Sequence, residues 1–251
     1  AQNHQHIFNV RIDPAIDGPN NSVVVEESHP VPMNAVTNPN GNYYEVTKQT
    51  VERASWIDAA PQLNRTIKMI NPHIRNPISG NHVGYKFIPL ATQTLLADPA
   101  SVQARRAQFA QHHVWVTKYR DGELYAGGRY TLQSQTEVEG VSDAVLRGDS
   151  VVDTDVVVWN SFGITHNPRV EDWPVMYVGP KFLSFLPCFF SFPLFFFLRI
   201  ILTQYNRPVE IFQLMIRPAD FFVANPSLDV PSNKNVSSRL ADSECCRKSH
   251  I

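Results

Sequence analysis

Asn3-His4-Gln5-His6-Ile7-Phe8-Asn9-Val10, continuing through Arg11 to Ile12, is the stretch from which this sequence is best read. Residues i and i+2 of a strand project to one side, so on a strand His4 and His6 would present two imidazoles to one point. Three such ligands with water suit copper(II), which takes nitrogen and oxygen donors in tetragonal geometry. Taken alone, the pair reads as two ordinary surface histidines. A cupin-like site would want Glu three or four residues beyond His6, where Asn9 and Val10 stand.

Outward from there the chain is a series of short apolar or alternating runs bounded by Asn, Pro, Gly and Asp. Strands are predicted at His6–Ile12, Ser22–Glu27, Tyr43–Thr50, Thr66–Ile70, Gly84–Pro89, His113–Lys118, Leu124–Gln133, Asp153–Thr165 and Val209–Ile216. Their Val, Tyr, Thr and Trp content suits a pleated, half-buried surface. Two places read as helix: Ala100–His112, entered through Asp98-Pro99, and Ser142–Arg147. The fold class is mainly β, in the style of a sandwich.

The 251 residues leave room for a sizeable core, and 18% charged residues with a net charge of -1 exclude a strongly basic nucleic-acid binder. Cys188, Cys245 and Cys246 form neither a disulfide framework nor a CxxC zinc pattern, which favours a reducing compartment. The chain starts at Ala1 without a signal-peptide pattern, and is read as an interior start of a longer chain. Ser249-His250-Ile251 only faintly resembles a peroxisomal signal. An intracellular location, cytoplasmic or peroxisomal, is expected.

A second segment changes the weight of the first: Thr165-His166-Asn167-Pro168-Arg169-Val170-Glu171-Asp172-Trp173-Pro174-Val175-Met176. With Asn3-His4-Gln5-His6 it closely resembles the C-terminal part of the copper amine oxidases. That family carries a His-x-His pair on one strand and a third ligand in a Thr-His-x-Pro-Arg-x-Glu-Asp-x-Pro setting. Further matches come in order: Val10 to Gly18, Asp153 to Trp159, Arg217-Pro218-Ala219-Asp220-Phe221-Phe222, and Asn225 to Pro231. The resemblance implies a large antiparallel β-sandwich, the family's catalytic domain, here incomplete.

The resemblance further implies that His4, His6 and His166 are copper ligands. It places a peripheral site for calcium or manganese at Asp13, the Pro14 carbonyl, Asp155 and the Val156 carbonyl. Oxygen donors are what such hard cations want. Some members add an acid two positions after the first Asp, where this chain has Ala15. Ordinary strand-end turns remain an alternative role for Asp13 and Asp155.

Family members oxidise primary amines to aldehydes, consuming dioxygen and releasing ammonia and hydrogen peroxide. Their electron sink is topaquinone, made from a Tyr of the protein, and an Asp general base removes the substrate's proton. Both groups lie upstream of the His-x-His pair, and the chain begins three residues before His4. No catalytic or quinone-forming residue is therefore expected in it, and the chain by itself is predicted to be inactive. Asn42-Tyr43-Tyr44-Glu45 imitates the precursor motif, but Pro39 stands where Thr is needed and Tyr44 replaces the acid. Tyr43 is read as a strand residue. The partners implied are a primary amine, dioxygen and a second copy of the chain, with no nucleic acid and no membrane.

Eight of the fifteen Phe lie between Phe182 and Phe197, in an uncharged run from Phe182 to Leu198. Seventeen residues is at the short limit for a membrane span, and Pro187 and Pro193 interrupt it. An exposed loop of this kind would be an aggregation hazard. A translated intron fits best. Deleting residues 177–207 would join Met176 to Pro208-Val209-Glu210 as in the family, and Phe, Leu, Ser and Pro are the residues with all-pyrimidine codons. Two other function classes stay open: a non-catalytic copper-binding or interaction protein on the same sandwich, and a membrane-anchored fragment using the Phe-rich run.

Overall fold

Strands are the main regular element of this chain, and the computed structural model describes residues 3–129, 139–168 and 214–225. The chain divides into one unit of residues 1–170 with 212–221, and a second of 171–211 with 222–251. Among the described residues every strand and helix lies in the first unit. The Phe-rich run, residues 177–207, the Arg169–Met176 part of the third-His motif and Pro226–Pro231 lie outside the described residues.

Among the described residues nine strands form two antiparallel sheets. The first has the order β1 (His4–Ile12), β8 (Val156–His166), β7 (Val114–Lys118), β4 (Ser55–Ile57). The second has the order β3 (Tyr44–Thr50), β2 (Ser22–Pro30), β5 (Thr66–Arg75), β6 (His82–Phe87), β9 (Arg217–Ala219). Val23, Ile67, Met69 and Phe87 of the five-stranded sheet share one buried cluster with Val114, Trp115, Val116, Val156, Val158 and Trp159 of the four-stranded sheet. Burying such side chains contributes roughly 1.5–3 kcal/mol each before the entropy cost is counted. Two antiparallel sheets around one core bear out the mainly β reading.

Several boundaries differ from those the sequence predicts. The predicted helix Ala100–His112 is a single turn, α1 (Val102–Arg106), followed by a 3-10 turn over Gln108–Gln111. Its cap is Ser101, whose Oγ accepts the Ala104 N–H at 3.1 Å, rather than Asp98. Tertiary partners take the free carbonyls of that 3-10 turn. Phe109 O accepts the Trp115 indole N–H at 2.9 Å and the Ser161 hydroxyl at 2.7 Å, and Ala110 O accepts the Leu95 N–H at 2.8 Å. The predicted strand Leu124–Gln133 is absent over residues 124–129. Gly128, at φ 85°, closes a turn there by donating to Tyr125 O at 2.9 Å.

Ser142–Arg147 is borne out as α2 (Val141–Leu146), whose first turn is tied by the Gly140 N–H to Asp143 Oδ2 at 2.9 Å. Residues 214–216 of the predicted strand Val209–Ile216 are not extended pairing partners; the strand begins one residue later as β9. β4 is too short for any periodicity to show it. β5 runs past Ile70 through Asn71-Pro72 by way of an irregularity in its pairing with β6. Tyr43 sits just before β3, its hydroxyl donating to Thr37 O at 3.3 Å.

Candidate metal centre

β1 and β8 pair antiparallel with His4 opposite His166 and His6 opposite Ile164. Partners in register project to one side of a sheet, and so do residues two apart on a strand. The three imidazoles therefore meet on one face at the end of the ladder. Ring centroids lie 4.7 Å apart for His4 and His6, 4.9 Å for His4 and His166, and 6.1 Å for His6 and His166. One nitrogen from each ring lies within 4.8 Å of the others, and among the described residues no other three His, Cys, Asp or Glu bring their ligand atoms all this close together.

The donors fit a copper ion. His6 Nε2 is buried and has no hydrogen-bond partner among the described residues, an arrangement that costs free energy unless something else binds the lone pair. Burial, then the nearby His4 and His166, hold the His6 pKa below its ordinary value. That favours the neutral imidazole, the form that ligates metals. Beside the triad on the same face, Phe8 and Phe162 stand opposite each other with ring centroids 6.1 Å apart, an apolar neighbour one register step along the ladder.

Two residues that sequence reasoning passed over shape this end. Gly163 pairs with Ile7, and a Cβ placed on it would collide with the His6 carbonyl oxygen. Only glycine lets β1 and β8 approach so closely there, and an isolated glycine in a strand pattern is the available signal. Gln5, between the two β1 histidines but on the opposite face, donates from Nε2 to Thr94 O at 3.0 Å and accepts the Leu96 N–H at 2.8 Å. Nothing in the sequence near Gln5 announces that bond.

The opposite end of the same ladder carries the predicted peripheral residues. Asp13 and Pro14 come after the end of β1, and Asp155 immediately precedes Val156, the first residue of β8. Burial, then the charge of Asp13, push the Asp155 carboxyl above its usual range, with Arg11 opposing. Arg11 Nη1 donates to Asp13 Oδ2 at 2.8 Å, and its guanidinium lies 5.6 Å from the ring centroids of Tyr119 and of Trp159. Asp155 O already accepts the Tyr119 N–H at 2.8 Å. The two carboxylates are thus electrostatically coupled, and no third acidic, His or Cys ligand joins them among the described residues.

Residues 1–192 match the family described as copper amine oxidase, enzyme domain. The chain belongs to the copper amine oxidase family. It is 73% identical over 251 residues to copper amine oxidase 1 of Aspergillus niger, covering all of this chain and 33% of that protein. It is 33% identical over 271 residues to the peroxisomal primary amine oxidase of Pichia angusta, covering 99% of this chain and 35% of that protein. The crystal structure of a copper-containing benzylamine oxidase from Hansenula polymorpha superposes with a TM-score of 0.71 at 37% identity, over 91% of this chain and 31% of that one. The chain thus spans about a third of the length of these copper amine oxidases. Among the described residues no helix is long and apolar enough to cross a membrane.

Proposed function

We propose that this chain supplies the copper-binding histidines of a primary amine oxidase, the whole protein converting primary amines to aldehydes with release of ammonia and hydrogen peroxide at the expense of dioxygen. The observation that carries this is the convergence of His4, His6 and His166, three neutral-capable donors drawn to one point by strand register. Copper there, with topaquinone, would supply the redox chemistry that takes up the amine's electrons and passes them to dioxygen. The chain's own part is to hold three imidazoles still. Strand pairing fixes His4 against His166, the Gln5 side chain braces the back of β1, and Phe8 with Phe162 shields one flank.

None of the chain's tyrosines stands in the family's quinone-precursor motif. Tyr43 is bonded to the Thr37 carbonyl in a hairpin remote in sequence from the histidines. In this reading Asp13 and Asp155, with the Pro14 and Val156 carbonyls, take calcium or manganese, their mutual repulsion being what a hard cation would relieve. A second copy of the chain is the partner. Its support is the β2–β3 hairpin, whose edge strand is exposed throughout and whose Met33, Val36 and Tyr44 are 75%, 89% and 67% exposed. The location proposed is intracellular, cytoplasmic or peroxisomal; the Pichia angusta relative and a Nicotiana tabacum diamine oxidase are named as peroxisomal. Residues 177–207 are proposed to be translated intron; transcripts retaining their codons between Met176 and Pro208 would contradict that.

The test of the activity uses the whole protein in an oxygen electrode with a primary amine such as benzylamine. One peroxide per aldehyde is expected, abolished in His166→Ala. Undiminished turnover in that variant would remove this chain's histidines from the chemistry.

A further inference from the structure

We propose that the irregular segment Thr92–Leu96 is a strap across the back of the metal centre, and that the ion pair of His113 with Asp58 is the protonation-sensitive lock that positions it. β7 pairs with β8 only from Val156 to Asn160, leaving β8 without that neighbour from Ser161 to His166. The Ser161 N–H still donates to His113 O at 2.7 Å, just before β7; two residues on the strap takes over, the Gly163 N–H donating to Thr92 Oγ1 at 3.1 Å. Gln5, lying between His4 and His6, holds the same strap through Thr94 O and the Leu96 N–H, and its Nε2 also lies 3.4 Å from Thr165 Oγ1. The strap is thereby bonded to Gln5, which adjoins His4 and His6, and to Gly163, three residues before His166.

What holds the strap in turn is His113. Its Nε2 lies 2.8 Å from Thr92 O and its Nδ1 lies 3.1 Å from Asp58 Oδ1. A carbonyl can only accept, and so can a carboxylate, so both contacts are hydrogen bonds together only when the ring donates from both nitrogens. Burial pushes the Asp58 carboxyl up, but the hydrogen bonds from His112 and His113 outweigh it and hold it below its ordinary range. Asp58 is therefore the anion the arrangement needs. The charged and titratable groups around the pair are His112, whose Nδ1 is 3.0 Å from Asp58 Oδ2, and Arg65, which donates to the Asp58 carbonyl at 2.5 Å and pairs with Glu27. The Asp58 side chain is 47% exposed and that of His113 12%, so solvent reaches the lock through the acid.

The donors set the sign. A His113 ring carrying one proton can donate to Asp58 or to Thr92 but not to both. The strap is held while His113 carries both protons and Asp58 carries none, and it loosens on either side of that window.

The strap stands on geometry alone; its effect on copper rests on the function proposed above. Backbone amide exchange at Gly163 and Leu96 is followed from mildly acid to mildly alkaline pH in the full chain, after correction for the intrinsic pH dependence of exchange. Protection should fall as pH rises in the parent. It should be about tenfold weaker at low pH in Asp58→Asn and His113→Phe, the scale of one net hydrogen bond. His113→Gln, which donates without titrating, should restore protection and abolish the pH step. Copper(II) affinity should drop by up to about tenfold in Asp58→Asn, the low end of what direct outer partners of ligating histidines contribute, since Asp58 acts only through the strap. Parent-like exchange in Asp58→Asn, or a surviving pH step in His113→Gln, would overturn the proposal even if His113→Phe failed to fold. If the parent binds no copper(II), the copper reading fails while the exchange results still decide the strap.

Discussion

The two ends of the β1–β8 ladder are built from the same two strands and solve opposite problems. At one end three imidazoles crowd together, and each can be neutral, so their approach costs little charge repulsion. At the other, Asp13 and Asp155 approach as carboxylates, and burial together with that repulsion pushes the Asp155 carboxyl upward. The histidine end gathers three side-chain donors. The acidic end has two, and the hard-cation site proposed there would need backbone carbonyls as well. In that proposal, softness of the ligand and its charge state, rather than position in the fold, would decide which cation each end holds.

The largest effect expected is at the histidine end. His6→Ala should lower copper(II) affinity by more than about 100-fold, beyond the 10–100-fold that outer partners of ligands contribute, as read by isothermal titration. A loss no larger at His6 than at Asp13 would erase the contrast between the ends. Gly163→Val comes next. Its new side chain meets the His6 carbonyl, and overpacking of this kind costs typically 1–3 kcal/mol; urea denaturation should show that loss together with weakened copper binding. An unchanged midpoint would mean the strands can separate there freely.

At the acidic end the effects are smaller. The folded Asp155 carboxyl titrates above its unfolded value, so the folded chain binds more protons than the unfolded one through that interval. Stability without a cation should therefore fall as pH rises through it. Asp13→Asn should flatten that slope, and denaturation midpoints across acid pH will show whether it does. Smallest is the response to calcium: at ten times its dissociation constant, one site adds about 1.4 kcal/mol. An equal gain in an Asp13→Asn, Asp155→Asn double variant would place the calcium elsewhere.

How far the sequence could be read obeys the same division. The apolar run that opens β8, and the histidines two apart on β1, are local signals, and pairing the two strands then sets His4 against His166. What was not legible depends on contacts distant in sequence. The 3-10 turn at 108–111 that stands in place of the predicted helix gives the carbonyls of Phe109 and Ala110 to Trp115, Ser161 and Leu95. Gln5 braces a segment about ninety residues away, and nothing in the residues around it encodes that partner. Gly163 was legible in principle, since a lone glycine inside a buried strand marks a close backbone approach.

The central claim is that His4, His6 and His166 together hold one copper ion. It is tested most directly by adding copper(II) to the chain and recording its electron paramagnetic resonance with stoichiometry by titration. One equivalent bound with nitrogen couplings from imidazole, lost alike in His4→Ala, His6→Ala and His166→Ala, is the predicted result. A copper signal that keeps its couplings and stoichiometry in His166→Ala would contradict it.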